Sequence, residues 1–303
     1  ILSAGTISLQ NNPAQATILS NSSEGLSVFF SLDALQYQEQ NTKEGVWTVL
    51  NAKNYTSTNK VGSPALPLMR KIISVPLGAS LEYTLSDTYR RNIDLNAAGI
   101  HYPLQPYQES VAKSEDPAQA TFVVNRDFYN GNKATQEANI QLTELGIMRG
   151  ERLFALDFIP ANYDPAGKTL DVVVSTKVDI RFVNADWAAT NALKAKAYSP
   201  AFESTFASSV WNHSSSRTSL VRYPIGYVII APQSFVPALQ PFIEWKTREG
   251  YAVSVNTIES IGNTNNSIRT FMQNIWDSAN AENPAPSYLL IVGDVAQVVA
   301  NSG

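Results

Sequence analysis

Side chains that could carry out hydrolysis are scarce in this sequence. It contains two histidines, His101 and His213, and no cysteine. These residues therefore supply no thiolate nucleophile, no thiolate metal ligand and no disulfide. No His-Glu-x-x-His or Gly-x-Ser-x-Gly pattern accompanies the histidines or serines. We expect both histidines to be structural or surface side chains, and we expect neither a metal ion nor a cofactor in this chain.

A carboxylate at the end of an apolar run is the next candidate. Asp294 ends the segment 287–294, and open α/β sheets place functional groups beyond the carboxyl ends of their strands. Aspartate is also a common turn residue, and we favour a turn role here. Two strand-to-helix connections are predicted between residues 221 and 303, and neither contains Gly-x-Gly. Nothing therefore supports a nucleotide site.

A lysine in a proline-limited segment is the third candidate. Residues 102–107 contain two prolines, and residues 111–117 follow, with Lys113 among short polar neighbours. Because proline fixes φ and removes a donor, this region should be extended, and an extended segment can lie in a protease cleft. An exposed loop lysine is usually only solvated.

Residues 62–67 could form a substrate loop or a rigid entry to a strand, and we favour the rigid entry.

Short strands dominate the first 183 residues. Val172, Val174 and Thr176 begin an apolar alternation that continues to residue 182, with charged residues between them, as on a half-buried sheet. Many short strands without long helices predict an antiparallel β-sandwich or jelly-roll-like architecture. The predicted strands cover residues 25–30, 46–50, 71–76, 81–85, 121–124, 152–158 and 170–182.

The pattern changes after residue 183. Residues 187–197 are rich in helix formers and residues 212–219 are polar and serine-rich, so we place a helical and serine-rich linker at 184–220. From residue 221 to 303, strand-like runs alternate with amphipathic helices, which predicts a βαβαβ unit with a parallel sheet. The strands are predicted at 227–231, 251–255 and 287–294, and the helices at 234–249 and 266–279.

Charge and hydropathy exclude two classes of partner. The net charge is -4, and no basic stripe runs along the chain, so nucleic acid is not expected as a partner. Apolar runs are strand-sized and fall short of the roughly 20 residues that a membrane span requires. No signal sequence begins at Ile1, which fits either a cytosolic protein or numbering that starts after signal-peptide removal.

Two sets of short motifs resemble the gingipain-type secreted cysteine peptidases. One set has the same order and spacing as motifs of the family's prodomain. Residues 1–60 contain none of these motifs and resemble the prodomain only in their pattern of short, strand-like runs. The other resembles the start of the catalytic domain, where the Trp245-Lys246 pair, Gly250 and a Val-Gly-Asp strand end recur in one register. The motifs occupy residues 62–67, 75–79, 102–106, 149–150 and 159–165, and then 227–232, 242–250 and 288–294.

The resemblance implies a bacterial enzyme, secreted or held at the cell surface, with a Cys-His pair on a caspase-like α/β fold. Its thiolate would attack the scissile carbonyl, and both catalytic residues are expected beyond residue 303, so this chain alone should be inactive. Residues 1–183 would be a prodomain that assists folding and covers the cleft of its own catalytic domain. Protein or peptide substrates would belong to the full-length enzyme, which could also bind calcium.

The resemblance also assigns roles to basic residues. The family carries a basic residue on an extended loop over the cleft, which makes Lys113 the predicted inhibitory residue that enters the primary specificity pocket. Arg126 is the competing candidate, although we predict it within or beside a strand. Arg217 and Arg222, in and just after the serine-rich segment, are the predicted processing sites for a basic-specific protease.

Two other functional classes stay open. The chain could be a non-catalytic, ligand-binding β-sandwich module of the cell surface with an α/β partner domain. It could also be a carbohydrate-active enzyme, but the sequence offers no clear pair of separated carboxylates. Downstream sequence distinguishes these readings, because a His-Gly and a later Cys would favour the peptidase.

Overall fold

The computed structural model of the chain describes residues 2–114, 116, 119–131, 138–213 and 225–300. The chain folds into two compact units, each assembled from separate stretches of sequence. The first unit comprises residues 1–73, 79–145 and 154–185, and the second comprises residues 74–78, 146–153 and 186–303.

Antiparallel strands build the first unit, as the sequence predicts. Among the described residues they form three sheets with the orders β1-β4-β5, β6-β7-β10-β9 and β11-β12-β3-β2, and β8 also pairs with β12. Their bounds are β1 Ala4–Ser8, β2 Gln15–Asn21, β3 Gly25–Ser31, β4 Ala34–Thr42, β5 Gly45–Asn51, β6 Thr56–Ser57, β7 Pro67–Val75, β8 Ser80–Asp94, β9 Ile140–Met148, β10 Glu151–Phe158, β11 Ala161–Asp164 and β12 Thr169–Val183.

The long strand β12 organises the first unit. It pairs with β3 on one side and with β8 on the other. Val172, Val174 and Thr176 are completely buried, whereas Arg181 is exposed, so the predicted alternation is confirmed. The core beside it includes Phe30 and Phe158, whose rings stack with centroids 4.8 Å apart.

The second unit combines helices with a parallel sheet. Its strands have the order β14-β13-β15, and β13 is parallel to both neighbours. None of the helices in the described part of the chain is long and apolar enough to cross a bilayer. The elements are α2 Trp187–Ala197, α3 Pro200–Ser209, β13 Ile225–Ala231, α4 Val236–Arg248, β14 Tyr251–Thr257, α5 Ile258–Ile261, α6 Asn265–Ser278 and β15 Tyr288–Ile291.

Helix boundaries in the second unit follow local capping chemistry. The Asp186 side chain accepts a hydrogen bond from the backbone N–H of Ala189 and begins α2. Thr264 and Ser267 form a reciprocal capping box at the start of α6. Gly250, with φ of +94°, follows the end of α4. These signals explain why the predicted helix positions agree closely with the observed ones.

One predicted strand is wrong. Residues 121–124 have no strand structure, and the helical turn α1, Arg126–Tyr129, begins directly afterwards. The side chain of Asn125 accepts a hydrogen bond from Phe128 N and caps this turn. Local capping and side-chain pairing thus override the β propensity of Phe122 and Val123.

Candidate functional site

Two proline-containing motifs of the sequence lie side by side in the first unit. Tyr107 N donates to Ser63 O at 2.8 Å, and Gly62 N donates to Tyr107 O at 3.0 Å. Ala65 N donates to Gln105 O at 2.9 Å. Residues 62–67 are therefore a rigid framework for the segment that leads to Lys113.

A side-chain amide closes the loop that carries Lys113. Gln108 Oε1 accepts from Val123 N at 2.8 Å, and Gln108 Nε2 donates to Val123 O at 2.9 Å. The amide thus bonds both backbone groups of Val123, as a paired strand would. The described residues between these two positions, 109–114, 116 and 119–122, consequently belong to a loop whose two ends are held together.

A glycine allows the two ends to approach. Asn125 N donates to Gly62 O at 2.9 Å. Gly62 has φ of +77°, and a Cβ at this position would lie 3.1 Å from Asn125 N and 3.2 Å from Val123 Cγ1. A larger residue would be strained and would press against the loop base.

The loop base is fastened to the core of the first unit. Tyr129 Oη donates to the carbonyl oxygen of Leu104 at 2.7 Å, and Leu104 is fully buried. Thr48 N donates to Pro103 O, and Gln105 N donates to Thr48 O, both at 2.8 Å. Burial raises the pKa of Tyr129 above its ordinary range, so this hydroxyl stays a neutral donor at physiological pH.

Both candidate inhibitory residues are exposed, but their backbones differ. Lys113 lies in a turn inside the closed loop. Arg126 is the first residue of α1, not part of a strand as we predicted. The extended backbone that the prolines predict is therefore not found at Lys113, because residues 113 and 114 form a turn and residues 109–112 belong to no helix or strand. The irregular backbone before Lys113 is still free to lie along a cleft, whereas that of Arg126 is held in a helical turn. Arg217 and Arg222 lie outside the residues that the structure describes.

Two of the remaining candidates, His213 and Asp294, have hydrogen-bond partners. His213 Nε2 lies 3.0 Å from Glu203 Oε1, and its side chain is 10% exposed. Asp294 Oδ1 accepts from Val295 N at 2.6 Å, in the turn role that we expected. His101 is exposed. Among the described residues, no three acidic or histidine side chains are grouped so that they could hold a metal ion.

Sequence reasoning missed Gln108, which no motif marks. Its hydrogen bonds to Val123 join residues that are 15 positions apart, and the sequence pattern predicts a strand at 121–124. The only available signal was the position of Gln108 directly after the proline-limited segment.

Comparisons with known proteins agree with this organisation. The chain matches the family models Propeptide_C25 over residues 6–208 and Peptidase family C25 over residues 221–301. Lys-gingipain of Porphyromonas gingivalis is 29% identical over 301 residues, which are 98% of this chain and 17% of that relative. The chain therefore spans a small part of the relatives it matches.

Two solved structures from the same organism are similar to the chain. One concerns the zymogenic latency of gingipain K, with 30% identity and a TM-score of 0.55, over 60% of this chain and 100% of that one. The other is a complex of RgpB pro- and mature domains, with 20% identity and a TM-score of 0.53, over 66% of this chain and 98% of that one. The second likeness concerns the fold alone. Because the propeptide model covers more than half of the sequence and the peptidase model follows it, the chain belongs to the Propeptide_C25 family and comprises a gingipain-type propeptide with the start of the peptidase domain.

Proposed function

We propose that the β-rich part of this chain is the inhibitory propeptide of a secreted gingipain-like cysteine endopeptidase. It assists folding of the catalytic domain and blocks its active-site cleft. The family matches support this reading over a ligand-binding surface module. The sequence has no cysteine, so this chain alone has no peptidase activity, and the full-length enzyme acts on proteins or peptides.

The closed loop between Gln108 and Val123 carries the proposal. It presents the exposed Lys113 from a base that is already fixed by side-chain and backbone hydrogen bonds. A preorganised loop loses less conformational entropy on binding than a free peptide does. Lys113 enters the primary specificity pocket of the enzyme from its turn, and the non-helical backbone before it lies along the rim of the cleft.

Inhibition of the mature enzyme tests this role. The 303-residue chain is titrated against the mature peptidase of the same protein, and the inhibition constant is measured for the wild type and for Lys113→Ala. A buried basic anchor that contributes about 2 kcal/mol raises the constant about 30-fold when it is removed. Lys43→Ala is the matched control, because Lys43 is an exposed lysine in another turn of the first unit.

Arg126→Ala separates the two candidates. We expect its inhibition constant to stay within about twofold of the wild type, since a solvated surface charge contributes little. An unchanged constant for Lys113→Ala would remove this lysine from the mechanism. A large effect of Arg126→Ala alone would transfer the inhibitory role to α1.

We also propose the finer organisation. The functional parts are a β-sandwich or jelly-roll-like prodomain at 1–183, a linker at 184–220 and the start of a caspase-like domain at 221–303. The antiparallel sheets and the parallel β14-β13-β15 sheet support this arrangement. Processing occurs at Arg217 and Arg222. The protein loses a signal peptide on export and is secreted or held at the bacterial cell surface, and calcium, if bound, belongs to the full-length enzyme.

A further inference from the structure

The turn between β9 and β10 has an unusual residue choice. It consists of Arg149 and Gly150, with φ of +48° and +81°. Turns with two positive φ angles favour Asn, Asp and Gly, because larger side chains are strained there. Arginine at the first position therefore needs compensating contacts.

The guanidinium of Arg149 makes those contacts within the second unit. Nη1 donates to Pro286 O at 3.1 Å, and Nη2 donates to Ser287 O at 2.8 Å. The Arg149 Cζ atom lies 4.8 Å from the centroid of the Phe202 ring. The Arg149 side chain thus contacts both an aromatic ring of α3 and two carbonyl oxygens just before β15.

Partial desolvation strengthens these interactions. Burial lowers the pKa of Arg149 from its ordinary value, and the nearby Tyr288 opposes this shift. The guanidinium stays charged throughout the physiological range. Charged donors form stronger hydrogen bonds than neutral ones, particularly where water is partly excluded.

The next residues hold the turn against α2. A Cβ on Gly150 would lie 2.8 Å from Leu193 O and 2.9 Å from the Cα of Lys194. Lys194 Nζ lies 2.8 Å from Glu151 Oε2. Only glycine permits this approach, so the turn is fixed on the helix while Arg149 reaches β15.

These contacts join the two family segments. Arg149, Gly150, α2 and most of α3 belong to the stretch that matches the propeptide model, and residues 286–287 belong to the stretch that matches the peptidase model. All of them lie in the same compact unit. Ala285 N also donates to Lys196 O at 2.8 Å, which adds a backbone bond between the two segments.

We propose that Arg149 is a latch that keeps the propeptide bound to the start of the peptidase domain after the connecting segment has been cut. The latch rests on the proposed function for the identity of the two segments, but it does not depend on Lys113. It is a second attachment point, which controls how long the cleaved propeptide stays associated.

Dissociation of a nicked chain tests the latch. A site for a specific protease is inserted between Ser215 and Ser216, and the full chain is immobilised through a tag before Ile1 and cut. The rate at which the C-terminal fragment washes off is then measured by gel electrophoresis. We expect slow release from the wild type and release at least tenfold faster from Arg149→Ala.

Three further variants make the result specific. Arg149→Lys keeps the charge but lacks the fork that reaches two carbonyls, so its release should also be faster. Arg181→Ala, an exposed arginine of the first unit, should release like the wild type. Circular dichroism of the uncut chains verifies folding, and the Lys variant provides the test if the Ala variant does not fold.

The outcomes separate this proposal from the proposed function. The latch would be overturned if both Arg149 variants released the fragment at the wild-type rate. Immediate release of the fragment from the wild type would also overturn it. Lys113→Ala should weaken inhibition and leave fragment release unchanged. If Lys113→Ala leaves inhibition unchanged while the Arg149 variants release faster, the inhibitory role fails and the latch stands.

Discussion

Arg70 and Asp157 form a two-point ion pair across β7 and β10. Arg70 Nε lies 2.7 Å from Asp157 Oδ1, and Arg70 Nη2 lies 2.7 Å from Asp157 Oδ2. The Asp157 side chain is 6% exposed, whereas that of Arg70 is 50% exposed. The hydrogen bonds to Asp157 raise the pKa of Arg70. The guanidinium therefore satisfies a carboxylate that water reaches poorly.

Removing the arginine should leave an uncompensated carboxylate. We expect Arg70→Ala to lower the free energy of unfolding by about 1–3 kcal/mol, which is below the full cost for a buried pair because Arg70 is half exposed. Urea denaturation followed by circular dichroism measures the change. Arg181→Ala is the control, because Arg181 and Glu82 form a solvent-exposed pair with a distance of 3.6 Å. Equal effects of the two substitutions would contradict the prediction.

Three tyrosines should make the first unit sensitive to alkali. Burial raises the pKa of Tyr163 to about 12 and the pKa values of Tyr55 and Tyr129 further above the ordinary 10.0. The folded state thus holds these protons more tightly than the unfolded state. Their contribution is complete below pH 10 and is lost as the pH rises toward the folded-state values, by about 1.4 kcal/mol per pH unit for each tyrosine.

Unfolding free energies measured between pH 8 and 12 test this dependence. Tyr129→Phe should reduce the loss of stability with pH, because one titrating group is removed. It should also lower stability at neutral pH by about 1 kcal/mol, since the bond to Leu104 O is lost. Tyr89→Phe is the control, because Tyr89 is 53% exposed. A pH profile of Tyr129→Phe identical to that of the wild type would exclude the role of this tyrosine.

The first proteolytic cuts should fall in the polar segment that follows His213 in the sequence. The side-chain amide of Asn212 forms hydrogen bonds with both backbone groups of Ser74. Ser74 N donates to Asn212 Oδ1 at 2.7 Å, and Asn212 Nδ2 donates to Ser74 O at 2.9 Å. The sequence places Asn212 at the start of the polar, serine-rich segment, whereas these bonds hold it in the second unit. Trypsin should therefore cut first at Arg217 or Arg222, in or next to the polar segment.

Mass spectrometry of early tryptic fragments tests this order. The double variant Arg217→Ala with Arg222→Ala should survive several times longer than the wild type. Arg149 should resist cleavage, because its side chain is bound to two carbonyls. A first cut within residues 71–182 would contradict both the domain division and the assignment of the processing segment.

Periodic and capped elements could be predicted from the sequence. The alternation of β12 reports the burial of one face, and the helix at Trp187–Ala197 has the predicted bounds. Both patterns are local, so a short window of sequence contains the determining information. The family motifs likewise identified the residues that frame the Lys113 loop.

Long-range side-chain contacts could not be predicted in this way. The Gln108 side chain takes the place of a backbone hydrogen-bond partner for Val123. Arg149 donates to carbonyl oxygens of residues that lie more than a hundred positions later in the sequence. Neither contact leaves a periodic pattern in the sequence. The wrong strand at 121–124 has the same origin, because β-branched residues lie there in an irregular segment whose hydrogen bonds go to a side chain.

Two glycines with positive φ provide a final test of the loop base. Gly62 has φ of +77° with Asn125 N and Val123 Cγ1 close to the missing Cβ, whereas Gly45 has φ of +109° and nothing within 4 Å. Alanine should cost about 1–2 kcal/mol at either position because of the left-handed backbone. Only at Gly62 does the new methyl group also press on the loop.

We therefore expect Gly62→Ala to be more destabilising than Gly45→Ala and to weaken inhibition of the mature enzyme severalfold, while Gly45→Ala leaves inhibition unchanged. Urea denaturation and the inhibition constant give the two readouts. Hydrogen exchange of residues 109–125 should increase in the Gly62 variant, because the bonds of Val123 and Asn125 are displaced. If both variants inhibit like the wild type, the fixed loop base contributes nothing to binding, and Lys113 would act from a loop that orders only in the complex.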